Sequence, residues 1–464
     1  MHIFPHEPTK AVMGTTDHRP TRPRFLSPLG RWLFSGVTAV LITAHPGCGG
    51  KSPVDETEDD REDQSTEVLR SEKARKTSLS ASDVKLDDLV RGNSAFALDL
   101  YGTLREREGN LFYSPHSISV ALAMMYAGAR GETARQMEEV LRFQLPPDQL
   151  HPAFNVLDLA LSSRGENSGS QERGEFRLNI ANSIWGQKGY AFLPRFLDTL
   201  AENYGAGMRA VDFVENPEAS RTAINDWVAE RTEETIQDLI PQGVIDHLTR
   251  LVLTNAIYFN AAWHYPFDED RTTSDPFHLL SGDRVNVPMM HRTETFDYAL
   301  HETYQVQSVE LLYAGEEASL IILLPAKGKY DQFEDALSAD LVSEISKRMR
   351  PIRLRLSVPS FEFTSEFRLA DTLDGMGMTN AFDSESADFS GMADGKGLYL
   401  SAVVHKAFVK LDERGTEAGA ATGGTIGVTS LPPAFTADRP FIFLIRDNAT
   451  DAILFVGRVM DPRK

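Results

Sequence analysis

Two strand-like runs near the C-terminus, LYLSAVVHKAFVKL ending at Leu411 and FIFLIRD starting at Phe441, are separated by LDERGTEAGAATGGTIGVTSLPP, residues 411–433. From Gly415 to Ser430 this segment is Gly, Ala and Thr with a few small companions, one charge at Glu417 and no aromatic residue. Taken alone it reads as a flexible linker, because Gly-rich chain buries little surface and loses much entropy when ordered. A linker needs separate bodies to join. What flanks the segment therefore decides its meaning.

From about Leu86 to Lys464 the composition stays globular, with no internal repeat and no further low-complexity break, which predicts one large domain. Helical signals come first. In SPHSISVALAMMYAGARGETARQMEEVL, Ser114 is a candidate N-cap with Pro115 in the first turn, and Gly128 and Gly131 should end that helix before a second begins near Glu132. NPEASRTAINDWVAERTEETIQDLI, residues 216–240, reads as an amphipathic helix with Ile224, Trp227 and Val228 on one face. Strand signals follow. LVLTNAIYFNAAW, SLIILLPA, IRLRLSVPSFEF and LYLSAVVHKAFVKL are rich in β-branched and aromatic residues, and FIFLIRD with AILFVGRV predicts a closing hairpin around Asn448. Helices first and strands later imply an α+β fold with a large, mostly antiparallel sheet.

The net charge of −20 argues against nucleic acid, since Lys and Arg are read as scattered among more numerous carboxylates. No metal or cofactor motif is found. Cys48 is the one cysteine, so no two residues of this sequence can form a disulfide. It follows Arg22, Arg24, Arg31 and an apolar run from Trp32 to Ala44 that is too short for an ordinary membrane span. Residues 1–47 thus have a signal-peptide layout. It resembles a bacterial lipoprotein signal, in which Cys48 is lipidated; a cleaved secretory signal with an incidental cysteine is the alternative. Both predict an extracytoplasmic protein, lipid-anchored to the envelope or secreted. Residues 48–85 carry seven carboxylates between Asp55 and Asp63 and read as an acidic, disordered tether.

Over the remaining residues, 86–464, the chain resembles a serpin. NLFYSPHSISVALAMMYAGARGET, LTNAIYFNAAWHYPF, SLIILLPA, ADFSGM, LYLSAVVHKAFVKLDERGTEA and RPFIFLIRDNATDAILFVGRVMDP carry the resemblance by their order and spacing together. It implies that residues 413–433 form an exposed reactive-centre loop, and that the chain is a suicide inhibitor and not an enzyme. A target protease cleaves the loop, which then inserts into the central sheet and traps the acylated protease. The implied partner is a serine, alternatively a cysteine, protease, with no cofactor and a monomeric inhibitor. A non-inhibitory serpin and a lipid-anchored binding protein are the competing readings.

A strand entering the middle of a sheet must alternate faces, lack proline and keep unpaired charge off the buried side. Thr416, Ala418, Ala420, Thr422, Gly424, Ile426 and Val428 give one uncharged face, and Glu417 falls on the other with Gly419, Ala421, Gly423, Thr425 and Gly427. The first prolines, Pro432 and Pro433, lie beyond. By resemblance the hinge comprises Glu413, Gly415, Thr416, Glu417, Ala418, Gly419, Ala420 and Ala421. The family's count from Glu413 places the reactive bond at Thr429–Ser430, with Val428 the competing position. Thr429 after Val428 suits a small apolar pocket of the elastase type, or a subtilisin-like enzyme, and disfavours trypsin-like ones. The resemblance also assigns Ser114, Ser117, Asn255 and His405 to a polar shutter under the sheet and Trp263 to the breach where the loop enters. Ser114 with His405 does not read as a hydrolase pair, since no GxSxG elbow accompanies them.

Overall fold

The computed structural model describes residues 66–164, 177–395, 397–416 and 431–464. Helices crowd the first half: α1 (Leu86–Leu104), α2 (Pro115–Tyr126), α3 (Gly131–Val140), α4 (Pro147–Ser162), α5 (Pro194–Tyr204) and α6 (Pro217–Arg231). Three more, α7 (Tyr330–Ala336), α8 (Ala339–Arg348) and α9 (Leu369–Gly375), lie between later strands. The seven-stranded sheet has the order β1 (Glu67–Leu69), β4 (Met208–Val211), β3 (Arg177–Gln187), β5 (Leu251–Ala262), β12 (Leu400–Leu411), β11 (Phe361–Arg368), and the short β13 (Gly415–Thr416) also pairs with β5. The nine-stranded sheet has the order β14 (Ala434–Thr436), β10 (Arg350–Pro359), β7 (Arg284–His301), β8 (Val306–Leu312), β9 (Ala318–Pro325), β15 (Phe441–Asp447), β16 (Ile453–Val459), β2 (Leu111–Tyr113), with β6 (Thr273–His278) on β7. Pairing is mostly antiparallel; β3–β4, β5–β12 and β10–β14 run parallel. This is an α+β fold, as the order of sequence signals implied.

Ser114 caps α2, its hydroxyl accepting the Ser117 N–H at 3.1 Å, and Pro115 occupies the first turn where its missing N–H costs nothing. Every residue of α2 is buried, so its small side chains (Ser117, Ser119, Ala121, Ala123) let it lie directly on the seven-stranded sheet. The helix stops at Tyr126 and α3 starts at Gly131, as the glycines predicted. Strand β5 is buried on both faces. Leu251, Leu253 and Ile257 join the main core on the α2 side, and Val252 and Ala256 join a second core with Ile224 and Val228 of α6. The closing hairpin forms from β15 and β16.

Two expectations need correction. The helix expected over 216–240 ends at Arg231, because Glu233 and Glu234 adopt left-handed conformations (φ 51° and 61°) that no α-helix can contain. Thr232 Oγ1 closes the end by donating to the Val228 carbonyl (2.8 Å) and accepting the Ile236 N–H (3.2 Å). Ile236, Leu239 and Ile240, which extended the apolar pattern, are buried from turns instead.

The second correction concerns the tether over 48–85, whose later part is not disordered. Strand β1 extends the seven-stranded sheet beyond β4, and the residues after it lie along α4 and α5. Lys73 reaches Asp198 (3.0 Å) and Glu202 (3.1 Å), Lys76 reaches Glu202 (2.6 Å), and Arg75 Nε donates to Asn155 Oδ1 (2.8 Å). The carboxylates cluster up to Asp63, and after it Lys73, Arg75 and Lys76 meet carboxylates on α4 and α5. Low hydropathy concealed a segment held by polar partners.

Candidate functional site

Strands β5 and β12 lie side by side and parallel from Leu251↔Leu400 to Ile257↔Ala407. Past Ala407 they are no longer paired. The chain leaves β12 at Leu411, turns through residues 412–414, and returns as β13, with Gly415 opposite Ala262 and Thr416 opposite Ala261. The turn is built by Asp412, whose Oδ1 accepts the N–H groups of Arg414 (2.9 Å) and Gly415 (3.3 Å) and whose own N–H donates to the Gly415 carbonyl (3.0 Å). Gly415 is required by close approach: a Cβ there would sit 2.2 Å from the Ala261 carbonyl oxygen. A wedge of two residues thus already occupies one end of the seam.

Trp263 anchors that wedge. Its Nε1–H donates to the Asp412 carbonyl (3.0 Å), its N–H donates to the Arg414 carbonyl (2.9 Å), and its ring stacks on Tyr313 with centroids 4.7 Å apart. The Glu413 carbonyl accepts the Phe267 N–H (2.7 Å) and its carboxylate accepts Thr272 Oγ1–H (2.5 Å), while Arg414 pairs with Glu269 (3.0 Å). Thr416 is buried and its hydroxyl meets the Tyr313 hydroxyl at 3.1 Å, which turns its side chain toward the main core. Tyr313 had no sequence signal. It is identified only by what it supports.

Midway along the seam lies a polar row on the α2 side. His405 of β12 is directly opposite Asn255 of β5, which is opposite Asn182 of β3. His405 Nδ1–H bonds Asn255 Oδ1, and Nε2 accepts the Ser114 N–H at 3.2 Å, so the network assigns the proton to Nδ1. Asn255 Nδ2 donates to Ser117 Oγ (2.6 Å) and to Asn182 Oδ1, and Ser117 Oγ–H donates to Asn182 Oδ1 (3.1 Å). His405 is fully buried and burial pushes it down to about 3, which keeps the ring neutral. Ser114, Ser117, Asn255 and His405 are therefore one connected network. Asn182 completes it and was not singled out from sequence, although an Asn in the apolar run NIANSIW was a signal of the same kind.

A network of this type has a sharp energetic character. Parting β5 from β12 must break the His405–Asn255 bond, and each buried polar group left unmet costs about 1–3 kcal/mol. An incoming strand that brought replacement partners would offset that cost. Of the remaining positions singled out from sequence, Glu417, Ala418, Gly419, Ala420, Ala421, Val428, Thr429, Ser430 and Cys48 lie outside the described residues.

Comparison with known proteins places this geometry. The family model described as serpin (serine protease inhibitor) matches residues 91–462. A human leukocyte elastase inhibitor is 38% identical over 388 residues, covering 81% of this chain and all of that protein. An uncharacterized serpin-like protein of Thermococcus kodakarensis is 40% identical over 380 residues, covering 81% of this chain and 86% of its own length. Among solved structures, uncleaved ovalbumin superposes with a TM-score of 0.71 at 27% identity, over 81% of this chain and all of that one. With a parallel seam, a two-residue strand wedged at its end, a polar row beneath it and matches spanning nearly the whole described body, the chain belongs to the serpin family.

Proposed function

We propose that this serpin is a suicide-substrate inhibitor of proteases with a small apolar S1 pocket, elastase-like or subtilisin-like. As a member of this family it is not a catalyst: the protease supplies the chemistry. The protease nucleophile attacks the Thr429 carbonyl, the Thr429–Ser430 bond breaks, the Ser430 amine leaves with a proton, and Thr429 remains as an ester on the enzyme. Insertion of residues 417–426 between β5 and β12 then carries that ester away from the conditions needed for its hydrolysis.

The observation that carries this reading is the β13 wedge in a parallel seam. A strand continuing from β13 runs antiparallel to both β5 and β12, so one parallel pairing is exchanged for two antiparallel ones. Extending the register of Gly415–Ala262 and Thr416–Ala261 residue by residue puts Thr422 opposite Asn255 and Ile426 opposite Leu251, at the far end of β5. Because Thr416 faces the core, Ala418, Ala420, Thr422, Gly424 and Ile426 would face it too, and Glu417 would face away. The name of the human relative supports an elastase-type target. Export with Cys48 as the attachment point belongs to the same reading.

The test is to mix the chain with an elastase-like protease and look for an SDS-stable complex with release of a peptide beginning at Ser430. Loop cleavage with neither a complex nor a rise in Tm would overturn the proposal in favour of a passive substrate loop.

A further inference from the structure

The cations of this acidic chain are not evenly scattered. Residues 347–355, KRMRPIRLR, hold five cations and no carboxylate in a chain of net charge −20. Arg348 is taken by Glu344 at 2.5 Å, and Arg350 by the carbonyls of Lys347 (2.8 Å) and Met349 (2.6 Å). Arg353 and Arg355 are different. They alternate along β10 with the buried Leu354 and Leu356 and so stand on the outward face of the sheet. Among the described residues neither has a carboxylate partner, and Arg353 Nε is a buried donor without an acceptor.

Their directly paired neighbours carry no charge. Arg353 is opposite Thr295, and Arg355 lies between Thr293 of β7 and Ala434 of β14. The carboxylates nearby make no ion pair with either arginine: Asp275 binds His291 at 3.1 Å, and Asp297, opposite Pro351 and next along that face from Thr295, lies beside Glu310. The face is also tied to the reactive segment. Arg355 N–H donates to the Pro433 carbonyl (2.9 Å) and its Nε–H to the Pro432 carbonyl (3.1 Å). Pro432 is two residues past Ser430, at most about 7 Å of chain. An enzyme gripping a Thr429–Ser430 bond would be held within that length of chain from the residues Arg355 binds.

We propose that the outward face of β10 around Arg353 and Arg355 is an auxiliary docking surface for the target protease, taking carboxylates on the rim beside its primed subsites. This rests on the reading of residues 429–430 as the reactive bond. The surface selects among enzymes of equal S1 preference by charge. It acts on encounter, before acylation, so it sets the association rate and its salt dependence and leaves the later partition between trapping and turnover alone.

The probe is a subtilisin-like protease, used as it is and after succinylation of its lysines, which adds carboxylates without touching the S1 pocket. The full chain, R353A/R355A and a control K327A/K329A are compared by the second-order rate of complex formation at 50 mM and 500 mM NaCl. The expected result is that R353A/R355A slows reaction with the succinylated enzyme about tenfold at low salt, that the deficit shrinks at high salt, and that the control changes it less than twofold. Equal loss in both double variants, or no loss in either, overturns the proposal. If the chain is cleaved but no complex forms, the inhibitor reading fails separately. The docking surface is then judged on kcat/KM for loop cleavage, where the same tenfold, salt-sensitive difference is expected and its absence overturns it.

Discussion

Thr422 carries the sharpest prediction of the insertion register. In the intact chain the His405–Asn255 bond is closed without it, so Thr422→Val should leave intact stability within about 0.5 kcal/mol. After cleavage and insertion, Thr422 would stand between those two residues, which are themselves at most 1% exposed, on their own side of the sheet. Its hydroxyl can accept from His405 Nδ1–H and donate to Asn255 Oδ1, replacing at one stroke both halves of the bond that parting the strands breaks. Valine fills the same volume and satisfies neither. Two orphaned groups at about 1–3 kcal/mol each give a loss of about 2–6 kcal/mol confined to the cleaved form. The assay is guanidinium unfolding of intact and loop-cleaved protein for wild type, Thr422→Val and Thr422→Ser. Serine should retain most of the cleaved-form stability, and valine should also divert more encounters into plain cleavage. Coincident unfolding curves for the cleaved wild type and the cleaved valine variant would refute the register, and with it the argument that the polar row gates insertion.

How much of this was legible beforehand differs by residue. The Ser114 cap, the break at Gly128 and Gly131, and the β15–β16 hairpin follow from local chemistry and are visible in the chain itself. His405, Asn255, Ser114 and Ser117 lie far apart in sequence and sit on three elements, so only their likeness to a known pattern brought them together. Asn182 and Tyr313 act purely through tertiary neighbours, one completing a row across β3, β5 and β12, the other lying beneath Trp263. Residues 66–83 were misread because disorder was inferred from polarity, whereas their partners are equally polar and charged groups on α4 and α5. The cations of residues 347–355 went unremarked for a related reason. Alternation with leucine reads as an ordinary half-buried strand until the register shows that Arg353 and Arg355 share a face and are paired directly with uncharged residues.

Three further expectations follow from the same geometry. Gly415→Ala places a methyl group against the Ala261 backbone, at a cost of about 1–3 kcal/mol that is relieved if β13 leaves the seam; faster proteolysis around residues 412–416 and an altered Trp263 emission are expected, and unchanged values of both would count against the wedge. Acid should destabilise the fold through buried histidines: burial lowers His405 to about 3 and His116 and His151 to about 4, so below the unfolded pKa near 6.5 the unfolded chain binds protons that the native one refuses. Stability is fully present above that pH and is lost as pH falls, by about 2 kcal/mol per histidine between pH 6.5 and 5; a urea midpoint unchanged across that window would contradict it. Deleting residues 1–79 should also lower stability, because Asn155 is fully buried and spends both ends of its amide on residues 75–76, accepting from Arg75 and donating to the Lys76 carbonyl at 2.6 Å. Exposed ion pairs add little, so the loss of these two bonds and of the β1 pairing sets the scale at about 2–5 kcal/mol. Arg75→Ala in the full chain separates the causes: if it reproduces most of the loss, Arg75 with its bonds to Asn155 and Asp158 (2.6 Å) is the anchor, and if the deletion leaves the midpoint where it was, residues 66–79 are only laid on the surface.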